Sequence, residues 1–402
     1  MNTGALKGIK VVDLSRVLGG PFSAQVLADH GAEVIKVEPP QKDETRFWGP
    51  PFRDNSAAYF SGLNRNKSGI SIDLAQKEGQ QILLKLLADA DVVVENFKIG
   101  TLEKWGLGYE QLLSKKFPKL IHCRVSGFGA DGPLGGLAGY DSVIQAMSGI
   151  MSVNGEADGG PLRVGLPVVD MVTGLNAVIG ILLALQARHI TGKGQFVEAA
   201  LFDSGVSLLH PHIPNYLWSN TVPKRTGNAH PNIAPYDAYQ TKTNPIYIAA
   251  GNNKQFAKLC EKLALADLLN DLRFESNAMR CQNRIALKNI LEEKLSAFDG
   301  DALAHELIQS GVPCGPILNV EQILDHPHTH HRDMLVSIGD TYQGLGAPIK
   351  LSETPASYRK TPPAFAEDTV SVLMSNGFSQ EQIELLIEQG IIYQKEQEVS
   401  EI

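Results

Sequence analysis

The sequence predicts an α/β fold: a Rossmann-like large domain with a mostly parallel sheet, joined to a smaller α+β domain. Three observations carry this reading. Short β-branched runs alternate with helix-patterned stretches through the first half of the chain. The turns between them are punctuated by Gly and Pro at helix entries. Beyond a Pro- and Asn-rich stretch, the pattern changes to a strand pair followed by several helices. Strict alternation implies parallel strands covered on both faces, with ligands bound beyond their carboxyl ends.

In chain order, IKVVDL (9–14) reads as a strand. The turn Ser15-Arg16-Val17-Leu18-Gly19-Gly20-Pro21 leads into the helix pattern FSAQVLADHGA, and EVIKVE (33–38) is the next strand. ISIDL (70–74), the helix KEGQQILLKLLADA, DVVVENF (91–97), a helix around 109–116 and LIHCRVS (120–126) repeat the unit. The turns at 16–20, 95–100 and 126–140 therefore fall in the expected crevice. An almost wholly apolar helix, MVTGLNAVIGILLALQA (171–187), follows, and TGKGQFVEAALFDSGVSLL returns as turn, strand and helix. The expected organisation is a large domain over 1–210, a linker over 211–235, a small α+β domain over 236–325, and a segment 326–402 that returns to the large domain.

Composition excludes several functions. With 36 basic and 44 acidic side chains and a net charge of −8, the chain lacks the clustered positive charge that a nucleic-acid partner requires. Cys123, Cys260, Cys281 and Cys314 are scattered and form no C-x-x-C, so neither a disulfide framework nor a zinc knuckle is expected, and a cytoplasmic location is. The N-terminus enters a strand without the apolar core of a signal peptide. The 171–187 helix, interrupted by Thr173, Asn176 and Gln186, lies at the bottom of the membrane-spanning range and is read as core, with no membrane partner. In HPHTHH, His326, His328, His330 and His331 surround a Pro and lack an acid or Cys at ligand spacing; a solvated turn is expected, and no metal.

Asp170 opens the apolar helix. Asp is a preferred N-cap, and spacing alone favours that structural account. The alternative is a nucleophilic or basic carboxylate, its anion favoured by the helix dipole. Downstream of the fifth strand, Gly127-Phe128-Gly129-Ala130-Asp131-Gly132 matches G-x-G-x-x-G, but Pro133, Gly135, Gly136 and Gly139 keep the chain irregular where a dinucleotide site needs a helix. A turn that lets main chain approach a long ligand is the better reading.

The ordered motifs VVDLSRVLGGPF, VIKVEPP, TRFWGPPF, NRNKSGISIDL, ADVVVENFKIGTLEKWGLGY, SGFGADGPLGGLAGYDSVIQAMSG, GLPVVDMVTGL, TGKGQ, AAGNNKQF and GVPCGPI together resemble the class III CoA-transferases. That family contains formyl-CoA and carnitine CoA-transferases and the α-methylacyl-CoA racemases, and the resemblance spans about 8–390. HPNIAPY (230–236) with AAGNNKQF is most similar to the dicarboxylate enzymes of the succinyl-CoA and glutarate type.

The resemblance implies that Asp170, in Asp170-Met171-Val172-Thr173-Gly174, is the nucleophile, forming anhydride and aspartyl-CoA thioester intermediates. It implies an oxyanion turn at Arg16, Val17 and Leu18. It implies CoA contacts at Leu18, Gly19, Pro39, Ile72, Asp73, Leu74, Ala75, Asn96, Phe97, Lys98, Lys104, Ala138, Gly139, Tyr140 and Asp141. Gly251, Asn252 and Asn253 match the glycine-rich loop over the active site, the two Asn making it stiffer and more polar. Arg16 and Arg46 are candidate partners of a substrate carboxylate, each weighed against a structural ion pair. An interlocked homodimer, CoA and acyl-CoA as substrates and no permanently bound cofactor are also implied. The racemase branch requires a His before the Asp of G-x-D; here that residue is Tyr140, a poor base at neutral pH. A non-catalytic CoA-binding protein would not require the nucleophile that Asp170 supplies.

Overall fold

Val and Ile bury the strands β1 (Lys10–Asp13), β2 (Glu33–Glu38), β3 (Lys67–Ile72), β4 (Val92–Glu95) and β5 (Ile121–Ser126), while β6 (Phe196–Ala200) buries only Ala199 and Ala200. The computed structural model of the protein describes residues 4–395. In it these strands and a short terminal strand, Ile392–Tyr393, form one sheet in the order Ile392–Tyr393, β3, β2, β1, β4, β5, β6. All neighbours are parallel except the terminal strand, which runs antiparallel to β3 with Ile392 opposite Ile72. Strand order reverses at β1, which lies between β2 and β4. The ligand crevice of such a sheet opens at that switch point.

Alternate residues of β1 feed two cores. Val12 joins Ile35, Ile70 and the helix α2 (Lys77–Leu87) on one face. Val11 joins Val34, Val92 and the helices α1 (Gly19–Asp29) and α4 (Val168–Thr191) on the other. The short helices α3 (Asp141–Met147) and α5 (Leu201–Ser207) pack on α4.

The chain separates into two compact units. The first holds the sheet and comprises 4–150, 164–213 and 330–395 of the described residues. The second, 151–163 and 214–329, is built on the antiparallel strands β7 (Tyr236–Tyr239), β8 (Ile246–Ala249) and β9 (Cys314–Pro316). Helices α6 (Asn253–Lys262), α7 (Asn277–Gln282), α8 (Arg284–Leu295) and α9 (Gly300–Gln309) cover it, around Phe256, Leu259, Leu291 and Leu307. Two boundaries differ from expectation. Residues 151–163 leave the large unit, and the stretch 211–235, read as a linker, carries the helix His212–Ser219 and continues into the second unit. Positions 396–402 of the expected returning segment lie outside the described residues.

The central helix also differs. It runs three residues further upstream than its apolar run, so Asp170 sits inside the first turn and not at the cap, which is Pro167. Its buried face is Val169, Thr173, Gly174, Ala177, Val178, Ile181, Ala184 and Leu185. The opposite face is apolar yet open, with Ile179, Leu183 and Ile190 exposed by 54%, 65% and 80%. The helix is therefore core on one side only.

Candidate active site

The turn after β1 is the first component. Val17 has φ 71°, a left-handed conformation that a β-branched residue adopts at a cost of about 1–2 kcal/mol. The surrounding side chains hold it there. Asn96, just beyond β4, accepts from the Arg16 N–H (2.9 Å) and donates to the Arg16 carbonyl (2.7 Å). Asp13 accepts from the Ser15 N–H (3.0 Å), and Lys36 donates to the Ser15 carbonyl (2.8 Å). Lys67 bridges Asp13 (2.9 Å) and the Pro21 carbonyl (2.8 Å). Asp13, Lys36 and Lys67 are fully buried, and burial pushes the Lys67 ammonium down to about 8. The Val17 and Leu18 N–H groups have no acceptor among the described residues.

Asp170 is the second component. The orphan N–H groups at the start of α4 are capped from a distance: one oxygen of Asp141 accepts from Val169 (2.9 Å) and Asp170 (3.2 Å), while its other oxygen accepts from Gln145 (2.7 Å). The Asp170 side chain is thereby released from capping. Burial, and then the neighbouring Asp141 charge, push its carboxyl up to about 7. Two glycines bring it to the turn. A Cβ on Gly174 would meet the Gly19 carbonyl at 2.7 Å, so α4 lies directly against the start of α1. A Cβ on Gly19 would stand 3.6 Å from Asp170 Oδ1, filling the space before the carboxylate.

A cleft of ≈ 260 Å³ joins the parts. Of the expected residues it brings together Arg16, Val17, Leu18, Gly19, Asn96, Phe97, Lys98, Ala138, Gly139, Tyr140 and Asp170. Close main-chain packing shapes its rim, where a Cβ on Gly127 would stand 2.6 Å from the Gly139 nitrogen. The residues after Gly132 stay irregular until α3 begins at Asp141, so the G-x-G-x-x-G run opens no helix.

Other expected residues stand elsewhere. Pro39 and Asp73–Ala75 follow β2 and β3, on the same carboxyl edge of the sheet but outside this cleft. Ile72 and Leu74 are buried, and the Ile72 main chain lies in the sheet opposite Ile392. Lys104 lies on the short helix Thr101–Lys104, exposed and also outside the cleft. Asp141 turns its carboxylate to the helix start.

Arg46 does not serve a substrate carboxylate. It is 3% exposed, forks onto Glu38 at 2.8 and 2.6 Å, donates to the Pro363 carbonyl and stacks 3.6 Å over Phe60. Arg16 contrasts with it: its guanidinium has no acid partner among the described residues and lines the cleft.

Gly251, Asn252 and Asn253 belong to the second unit, where their polar groups are taken up locally. Asn252 caps α6 by accepting from Gln255 (3.0 Å), the Gln255 side chain accepts from Gly251 (2.8 Å), and Arg280 donates to Asn253 (2.8 Å).

Two residues escaped sequence reasoning. Glu44 lines the cleft. Tyr59 is half-buried, edge-on to Trp48 at 5.2 Å, and its phenol is pushed up to about 12 by burial and by the charges of Asp170, Asp141 and Asp43. Nothing in NSAAYF separates that ring from an ordinary core tyrosine.

The model of CoA-transferase family III matches residues 6–369. A succinate–glutarate CoA-transferase of Agrobacterium fabrum is 40% identical over 379 residues, 92% of this chain and 94% of that protein. A succinyl-CoA:glutarate CoA-transferase of Mus musculus is 38% identical over 406 residues, 97% of this chain and 91% of that protein. The crystal structure of a CAIB/BAIF family protein from Brucella suis is 43% identical with a TM-score of 0.84, covering 93% of this chain and all of that one. A family match over almost the whole chain, on a fold shared with a 43% identical structure, establishes that the chain belongs to CoA-transferase family III.

Proposed function

We propose that this CoA-transferase moves CoA from a donor such as succinyl-CoA to a dicarboxylic acid, with Asp170 as the nucleophile. The observation that carries the proposal is a half-buried carboxylate, kept free of capping by Asp141, in one cleft with two main-chain N–H groups that have no acceptor among the described residues.

The Asp170 oxygen attacks the thioester carbonyl. The C–S bond breaks, and CoA leaves as thiolate, a competent leaving group because thiols ionise near pH 8.5. The thiolate attacks the aspartyl carbonyl of the anhydride, releasing the donor acid and leaving an aspartyl-CoA thioester. The acceptor carboxylate attacks that thioester, expelling CoA thiolate, which then takes the acceptor acyl group and returns Asp170. Each tetrahedral oxyanion is met by Val17 and Leu18 N–H. The raised Asp170 carboxyl is a stronger nucleophile than an ordinary carboxylate, at the cost of partial protonation at pH 7.

CoA itself extends along the carboxyl edge of the sheet from the cleft toward Pro39 and 72–75. The span from β5 to β3 is four strand spacings, roughly 19 Å, which suits a long ligand. Lys98 and Lys104 supply charge for its phosphates. Arg16 takes the acceptor's free carboxylate; the named relatives, which act on succinate and glutarate, support the dicarboxylate class. The enzyme works as an interlocked cytoplasmic homodimer without a resident cofactor. The open apolar face of α4 supports the dimer, since a soluble chain seldom leaves such a stripe in water.

A coupled assay of succinyl-CoA against mono- and dicarboxylates tests the reading. CoA exchange with C4–C6 dicarboxylates is expected. Exchange with monocarboxylates alone contradicts the acceptor class, and α-proton exchange without CoA transfer favours the racemase.

A further inference from the structure

We propose that Asn96 is a positioning residue of the transfer reaction: its side-chain amide closes on both main-chain groups of Arg16, so that the left-handed turn at Val17 presents its N–H groups to the reacting carbonyl. This rests on the reading of Asp170 as nucleophile. It departs from the role that resemblance gives Asn96, a contact with CoA.

The argument begins with what the turn lacks. Between the Leu14 N–H, bonded to Val94, and the Phe22 N–H, bonded to Leu18, no main-chain hydrogen bond closes the loop. Side chains of β1, β2, β3 and the residue after β4 hold it instead: Asp13, Lys36 and Lys67, fully buried, and Asn96, half-buried. Asn96 is the member adjacent to the strained residue.

Peptide planarity makes the consequence specific. In the trans peptide joining Arg16 to Val17, the carbonyl and the N–H point in opposite directions. Fixing the Arg16 carbonyl on Asn96 at 2.7 Å therefore aims the Val17 N–H away from Asn96. The opposed φ values of Val17 (71°) and Leu18 (−134°) then turn successive N–H groups into an anion-binding concavity. Without the clamp, a β-branched residue relaxes to negative φ and the donors turn away.

Rescue by glycine separates this role from a direct CoA contact. Glycine adopts positive φ without steric penalty, so a clamp that acts by holding Val17 matters less in the V17G background. The kinetics of wild type, N96A, V17G and the double variant are to be measured with succinyl-CoA and glutarate. N96A is expected to lose about 30-fold in kcat with the succinyl-CoA KM within threefold of wild type, and the loss on adding N96A to V17G is expected to shrink below fivefold. An equal loss in both backgrounds, or a raised succinyl-CoA KM at unchanged kcat, overturns the inference. If N96A does not fold, N96D serves: it keeps an acceptor for the Arg16 N–H but faces the Arg16 carbonyl with an anion, and the same kcat loss and the same rescue are expected. D170A is the separate control. If D170A still transfers CoA, the nucleophile reading fails; if D170A is inactive and N96A keeps wild-type kcat, only the positioning role fails.

Discussion

As the proposed nucleophile, Asp170 must be ionised to attack, yet its surroundings resist ionisation. Its carboxyl is pushed from 3.8 up to about 7, so kcat/KM for the donor should climb with pH through about 7 and level off above it. A limb near 4 in the pH profile would show an unperturbed group. Stability carries the opposite sign. Because the folded protein holds that proton more tightly than the unfolded chain, ionisation costs stability as pH rises from about 4 to 7. Urea denaturation should find D170N more stable than wild type by about 4 kcal/mol at pH 8 and little different at pH 4. The two arginines test a contrast at the same scale. R46M leaves Glu38 buried and unpaired and should lose about 3–5 kcal/mol of stability, whereas R16A should keep stability and raise the acceptor KM. Sequence spacing could not make these distinctions. The carboxylate that satisfies the first N–H groups of α4 belongs to Asp141, 28 residues upstream of Val169, and the partner of Arg46 is Glu38 on a strand; each is a tertiary contact that a local pattern does not contain.

At the scale of elements, α4 does two jobs. Its buried side sets Asp170 against the turn through Gly174, where a Cβ would meet the Gly19 carbonyl and the Phe22 ring at 2.7 and 2.9 Å. G174V should cost about 1–3 kcal/mol by overpacking and should also lower kcat, because it pushes α1 and its preceding turn from the carboxylate. Its open side carries Ile179, Leu183 and Ile190. Under the proposed dimer, the double variant I179D/L183D should scatter light as a monomer where the wild type scatters as a dimer, with the monomer still folded by circular dichroism. An unchanged dimer would place the subunit interface elsewhere. The apolar run was legible as a helix from its composition, but not its two faces. An apolar residue that meets a partner reads the same as one that meets its own core.

For the whole molecule, alternation of strands and helices was enough to give a parallel sheet and to place the turns after β1, β4 and β5 at one crevice. The order of strands was not legible, since it depends on which edges pair, and the switch point at β1 followed only from the pairing. The terminal strand beside β3 escaped notice because two residues carry no periodicity. Residues 151–163 escaped because a short excursion into another unit leaves no mark in composition. Family resemblance implies that Asp170 is the nucleophile, and the geometry adds what spacing lacked: a carboxylate not spent on capping, raised toward neutrality, in one cleft with two main-chain N–H groups that have no acceptor among the described residues. The direct measurement is to quench the enzyme during turnover with succinyl-CoA, treat it with hydroxylamine and map the modified peptide by mass spectrometry. The account predicts a hydroxamate on Asp170 that D170A abolishes. A hydroxamate on another carboxylate, or CoA transfer at wild-type rate in D170A, would contradict it.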